Sequence, residues 1–298
     1  MKRVMPRIFL ATGVLAAGIA ALVHVGRRHP EPPESTTLRV LVVDMLAVEL
    51  GCSCAPGAPQ RHYDRLRAAM QSSLRRPVPF DYMADFLFEE IDAAEAERIR
   101  SADVLIGKHS AIAHVAAQLD LPVQWIASLT RGDGASTLTG LFVARAEGPV
   151  KTVRDLEGRT LSLGMPFHAE KHAAPLAVLR RENLHVATTT LRLFCKDAVA
   201  AVAAGESDAA VISDYSEGLL RAQDVTRGKP LAVIGKTDPV PYIAVFANKR
   251  LTGPSIAALR RFLIEAVRTD PELLDSLASK SGFTAANGDD RTSGTDTR

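Results

Sequence analysis

Lys151 to Leu184, KTVRDLEGRTLSLGMPFHAEKHAAPLAVLRRENL, decides the fold, because it packs a capped turn, a strand, a polar loop and a helix into one βα unit. Thr152 is placed to cap a short helical turn that Gly158 ends, following the preference for Ser or Thr at the start and Gly just past the end. Thr160 to Gly164, with Leu161 and Leu163 alternating, predicts a strand. Met165 and Pro166 follow, then a polar knot of His168, Glu170, Lys171 and His172 beside Phe167. A helix with Ala174, Leu176, Ala177 and Leu179 on its buried face completes the unit. In an open α/β sheet the loop after a strand's carboxyl end is where ligands sit, so the polar knot is the first candidate binding surface.

Upstream, LRVLVV at 38–43 predicts a strand, followed by an irregular loop from Asp44 to Pro59 and a helix burying Tyr63, Leu66, Met70 and Leu74. Pro77 to Tyr82 is a second strand. Asp85 to Arg100 reads as an acidic, solvated helix with Phe88, Ile91 and Ile99 turned inward. Asp103 to Ile106 is a third strand that turns through Gly107, Lys108, His109 and Ser110 into a helix. Free backbone N–H groups at that helix start, with Lys108 beside them, suit an anion. Pro122 to Ser128 is a fourth strand, and the loop TRGDGASTLTG at 130–140 brings the hydroxyls of Thr137 and Thr139 to a cleft wall.

Downstream, Thr189 to Phe194 ends at Cys195, and Asp208 to Ile212 ends at Ser213, Asp214 and Tyr215. Two similar apolar runs, LFVARA at 141 and YIAVFANK at 242, read as crossings between two half-molecules. The expected architecture is therefore an α/β, two-lobed clamshell with two interlobe crossing strands. Lobe one takes 38–140 and 241–283, and lobe two takes 141–240.

VKTVRDLEGRTLSLG, followed by a helix and then by DAVAAVAAGESDAAVISDY, resembles the second lobe of the phosphate, phosphite and phosphonate type of ABC transporter solute-binding protein, which has the type 2 periplasmic binding protein fold. Asp155, Leu156, Gly158 and Arg159 fill that family's turn into a strand. Gly205, Asp208 and Ala209 match a later motif, and Asp238, Pro239 and Pro241 match its Pro-rich crossover. The resemblance covers roughly residues 38 to 283. It implies an extracytoplasmic protein, not an enzyme, that holds a small polar or anionic solute between its lobes and is recognised by an ABC permease when closed. Asp214 stands where such proteins often place an acidic residue that meets a ligand amine. The turn FHAEKHA lacks the Ser, Thr and Gly cluster with which they meet phosphonate, so phosphonate itself does not carry over. The contacts expected are Lys108, His109, Ser110, Thr137 and Thr139 on one side, with His168, Lys171, His172, Ser213, Asp214 and Tyr215 on the other.

The overall charge of +2 is set by the amino terminus. Removing Lys2, Arg3, Arg7, Arg27 and Arg28 from 36 basic residues leaves 31 against 34 acidic ones. A body this near neutral, with one Trp, gives no electrostatic footprint for nucleic acid. Ile8 to Val25, uncharged and mostly apolar behind basic residues, reads as a secretory signal or an N-terminal membrane anchor. Arg27 to Thr37 is a Pro-rich tether, and 284–298 reads as a disordered tail.

Three cysteines in an exported chain leave open a disulfide plus a thiol, three thiols, or a metal site. Cys52, Cys54 and Cys195 with His168 or His172 would make a soft N/S set for Cu(I) or Zn, the basis of an alternative reading as a metal-binding or redox-accessory protein. Otherwise no cofactor is implied. A membrane-tethered sensory or scaffold module is the third reading. No catalytic motif of the G-x-S-x-G, H-E-x-x-H or P-loop kind occurs.

Overall fold

Val40–Val43 forms β1 with every residue buried, the pattern of a strand covered on both faces. The protein is described by a computed structural model over residues 36–286 except 52, 86, 87 and 89. The expectations for the leader and for residues 287–298 lie outside the described residues. Thr284 and Ala285 belong to the last strand.

In chain order the first lobe contributes β1, β2 (Phe80–Tyr82), β3 (Val104–Lys108) and β4 (Val123–Leu129), with α1 (Asp64–Leu74), α2 (Ala93–Ser101) and α3 (His109–Gln118) between them. The chain crosses on β5 (Thr137–Leu138) and builds a second sheet from β6 (Gly140–Arg145), β7 (Thr160–Leu163), β8 (Thr188–Leu191), β9 (Ala209–Ser213) and β10 (Leu231–Lys236). Helices α4 (Ala173–Arg181), α5 (Cys195–Ala204) and α6 (Gln223–Thr226) interleave with those strands. The return runs through β11 (Val240–Pro241) and β12 (Ile243–Asn248) to α7 (Gly253–Arg261), α8 (Pro271–Ser276) and β13 (Phe283–Ala285). The first sheet has six strands in the order β13-β4-β12-β3-β1-β2, and the second has five in the order β10-β6-β9-β7-β8.

The crossings differ from the sequence expectation. LFVARA and YIAVFANK are β6 and β12, each an interior strand of its own sheet. Both are buried nearly throughout, and an apolar strand of that kind is stable only with neighbours on both edges and cover on both faces. The links between lobes are instead the two-residue strands β5 and β11, which pair antiparallel as a separate ribbon with Val240 opposite Leu138 and Pro241 opposite Thr137.

Each lobe-one sheet face has its own core. Val40, Val42, Val104 and Ile106 pack with Leu66, Met70, Leu259 and Leu263 on one side. Leu41, Val43 and Leu105 pack with Ile99, Ile112 and Val115 on the other, and this second cluster takes in Met165 and Phe167 from lobe two. Cys54, from the loop after β1, joins the lobe-two cluster of Leu141, Val143, Cys195 and Val199. Each lobe therefore carries a side chain of its partner inside its apolar packing.

Two glycines let the lobe-two turn fold back tightly onto the strand tips. A Cβ on Gly140, at the start of β6, would stand 2.0 Å from the Glu170 carbonyl oxygen. One on Gly164, just after β7, would stand 2.5 Å from Lys171 Cβ.

Candidate functional site between the lobes

Parallel strands end with their carboxyl tips on one side of a sheet, and here the tips of both sheets face each other. β3 ends in Lys108, which is 4% exposed. Opposite it, the turn after β7 brings Glu170, 0% exposed, so that Lys108 Nζ donates to Glu170 Oε1 at 3.0 Å. The same oxygen accepts from the Ser213 hydroxyl at the tip of β9, at 2.7 Å. Lys108 Nζ also reaches Tyr215 Oη at 3.4 Å and lies over its ring. Tyr215 in turn stacks on Tyr242, with centroids 5.9 Å apart.

A second charged contact joins the lobes beside the first. His168 Nε2 lies 2.9 Å from Asp85 Oδ2, with both side chains buried. Ser110, in the first turn of α3, donates to the Phe167 carbonyl at 2.9 Å and accepts from the Ala169 N–H at 3.1 Å. Lys171 is buried next to them and points to the Leu193 carbonyl, 3.4 Å away. The space left among Met45, Cys54, Asp85, His168, Lys171, Cys195 and Tyr215 is a cavity of about 20 Å³.

Burial, the largest single influence, pushes the Glu170 carboxyl up, but the surrounding charges, Lys108 foremost, and the Ser213 hydrogen bond together outweigh it and hold the group at about 2, against an ordinary 4.5. Burial, helped by the charges of Lys108 and Lys171, lowers His168 from 6.5 to about 4 despite the pull of Asp85. Its ring is therefore neutral at pH 7, with Nε2–H donating to Asp85 and Nδ1 left without a partner.

Both shifts make acid unfavourable to the folded state. The stabilisation from Glu170 is complete above 4.5 and is lost as pH falls towards 2. That from His168 is complete above 6.5 and is lost as pH falls towards 4, because the unfolded chain takes up the proton first. Melting midpoints are expected to drop steadily on acidification below pH 6.5, and His168→Gln is expected to flatten the slope between 6.5 and 4. A wild-type midpoint that rises over that interval would contradict this assignment.

The other residues singled out from the sequence lie elsewhere. His109 follows Lys108 in the chain, but α3 starts there and swings its ring against Trp125 and Phe246 in lobe one, with centroids 4.5 and 5.3 Å away. His172 bonds the Gly164 carbonyl within lobe two. Thr137 sits in the crossing ribbon, and Thr139 meets Asp214 through its backbone. Asp214 pairs with Arg131 at 2.6 Å across the lobes near that ribbon, a fixed partner in place of a ligand amine.

Among the described residues no three His, Cys, Asp or Glu side chains gather closely enough to hold an ion. His168 is turned to Asp85, Cys195 has Ser213 as its neighbour at 3.9 Å, neither Cys54 nor Cys195 is in a disulfide, and Cys52 lies outside the described residues.

Asp85 and Arg131 are the residues that sequence reasoning did not assign to the site, and Glu170 and Phe167 were placed at the polar knot without being named as contacts. Glu170 lay inside the polar knot, and the signal for Asp85 was its place just after a strand's end.

Two mixed sheets joined by a double crossing, with charged strand tips meeting between them, define a two-lobed solute-binding protein. A family model described as the phosphonate periplasmic substrate-binding protein of ABC transporters matches residues 55–291. The chain belongs to that family, and so is a substrate-binding transport protein and not an enzyme.

Among solved structures it is similar to a Xanthomonas citri protein bound to ATP, at 17% identity and TM-score 0.63, over 86% of this chain and 94% of that one. It is also similar to a binding-protein component of an ABC phosphonate transporter from Pseudomonas aeruginosa, at 17% identity and TM-score 0.60, over 86% and 83%. A third is PhnD1 from Prochlorococcus marinus in complex with methylphosphonate, at 13% identity and TM-score 0.58, over 85% and 93%. At such identities the likeness is one of fold. No curated protein matches the sequence. Among the described residues no helix is long and apolar enough to cross a membrane.

Proposed function

We propose that this protein captures a small anionic solute between its lobes outside the cytoplasm and presents it, closed, to an ABC permease, with the apolar N-terminal run serving as export signal or tether. The observation that carries this reading is the meeting of Lys108 from lobe one with Ser213 and Tyr215 from lobe two at a single point. A cation and two hydroxyls from opposite lobes suit one oxyanion, which then favours the closed arrangement by its differential affinity. Lys171 and Ser110 supply further donors from either side. The cavity of about 20 Å³ admits no more than a water, so entry requires the lobes to part about the β5–β11 ribbon.

Thermal-shift measurements with inorganic phosphate, methylphosphonate and small carboxylates test this. A solute at a hundred times its Kd is expected to add about 2.7 kcal/mol to folded-state stability. Replacing Ser213 with Ala is expected to reduce that gain. No shift with any oxyanion would overturn the anionic reading.

A further inference from the structure

The turn from Met165 to Lys171 does more than line the cleft. Phe167 is 2% exposed and lies in a lobe-one cluster with Ala111, Ile112 and Val115. On either side of it Ser110 clasps the turn by two hydrogen bonds, one given to the Phe167 carbonyl and one taken from the Ala169 N–H. His168 closes on Asp85, and Glu170 on Lys108. Four successive residues of lobe two are thus bound by lobe one, at the start of α3 where an anionic guest would be received.

Glu170 Oε1 takes one donor from each lobe, Lys108 and Ser213, which is the pattern a bound oxyanion would have. The charges also close without a guest: two lysines, Lys108 and Lys171, face two carboxylates, Asp85 and Glu170, all at most 4% exposed. A further anion added to this arrangement would be a buried charge with no counter-charge left to it.

We propose that the Met165–Lys171 turn is a resident ligand of the interlobe cleft, its Glu170 carboxylate occupying the oxyanion position and holding the lobes shut in the solute-free protein. The inference rests on the solute reading above only for where a guest would go. A solute then binds by displacing Glu170 from Lys108 and Ser213, and its apparent affinity is reduced by the small fraction of molecules in which the turn has let go. Glu170 is accordingly a specificity-determining residue, since guests too weakly charged to compete for Lys108 are refused.

The test combines small-angle X-ray scattering with calorimetric titration of inorganic phosphate and methylphosphonate, on the full chain and on its Glu170→Gln variant. Without solute the wild type is expected to scatter as the closed form, and E170Q to show a larger radius of gyration. E170Q is also expected to bind the anions roughly tenfold tighter or more, each tenfold being a modest change in free energy. A wild type that is open without solute overturns the proposal, as does a variant unchanged in both readouts. Should E170Q fail to fold, Ser213→Ala, which removes the neutral donor and keeps the charges, is expected to open the lobes to a smaller degree. An S213A protein as closed as wild type overturns the proposal too. If the wild type is closed and E170Q open while neither binds either anion, the resident ligand stands and the anionic-solute reading falls. If the wild type is open and both bind alike, the reverse holds.

Discussion

Lys108→Met is expected to remove about 3–5 kcal/mol from the closed state, the usual cost of taking one partner from a buried ion pair. Methionine keeps much of the lysine's length and apolar stem, so the loss is chiefly of charge. What remains is Glu170, 0% exposed, with one oxygen held only by the Ser213 hydroxyl and the other without a hydrogen bond. A carboxylate in that position carries most of its desolvation cost uncompensated. The double variant K108M/E170L removes both charges and is expected to return to within about 1 kcal/mol of wild type, since apolar replacement of a whole buried pair is often neutral. Chemical denaturation, with the midpoint and slope fitted for all three proteins, checks this. A single variant as stable as wild type would mean that water reaches the pair.

Arg61→Met is expected to cost a similar 3–5 kcal/mol but with a different signature. Asp44, 1% exposed at the tip of β1, accepts from Arg61 Nη1 at 2.8 and 3.0 Å, from Tyr63 Oη at 2.8 Å and from the Leu46 N–H at 3.0 Å. Arg61 also lies 5.2 Å from the centre of the Tyr242 ring, and the Asp44 charge raises its pKa further above its ordinary value, although burial opposes this. All of these groups belong to lobe one. Parting the lobes rehydrates Glu170 in the Lys108 variant, whereas every hydrogen-bond partner of Asp44 stays with it in lobe one. Hydrogen exchange separates the two cases: K108M is expected to speed exchange at the start of α3 first, and R61M to speed it across the whole lobe-one sheet. Arg61→Lys is expected to fall between R61M and wild type, because an ammonium cannot reproduce the two-point contact of one guanidinium nitrogen with both oxygens and the ring contact together.

The fold was legible wherever a run was long enough to show its period and was buried as that period implies. LRVLVV, the strand through Leu161 and Leu163, and the turn from Thr152 to Gly158 stand where expected, the last with Asp155 accepting from the Thr152 N–H and hydroxyl. Two-residue strands carry no period, so β5 and β11 were invisible and their role was given to the stronger apolar signals of β6 and β12. The stretch from Asp85 was read as one solvated helix. In the structure α2 begins only at Ala93, behind an Asp92–Glu95 capping box, and the acid at 85 is turned inward to His168.

Within the site, sequence position found the right strand tips and failed on direction. Lys108 and Ser110 point at the opposite lobe while His109 between them does not, because a helix turns successive side chains by about a quarter-circle or more. The pairing of Lys108 with Glu170, 62 positions apart, is a tertiary fact that no local pattern encodes.

The narrow β5–β11 ribbon sets a lever. Arg131 donates to the Thr137 carbonyl and pairs with Asp214, whose carboxylate also takes the Thr139 N–H, so this contact sits almost on the pivot. When the halves swing apart, groups near the fulcrum travel little and those at the far rim travel far. The Arg131–Asp214 pair can therefore ride through the stroke intact and keep the swing in one plane, while the clasp around Phe167 bears the full displacement and sets how often the mouth yawns.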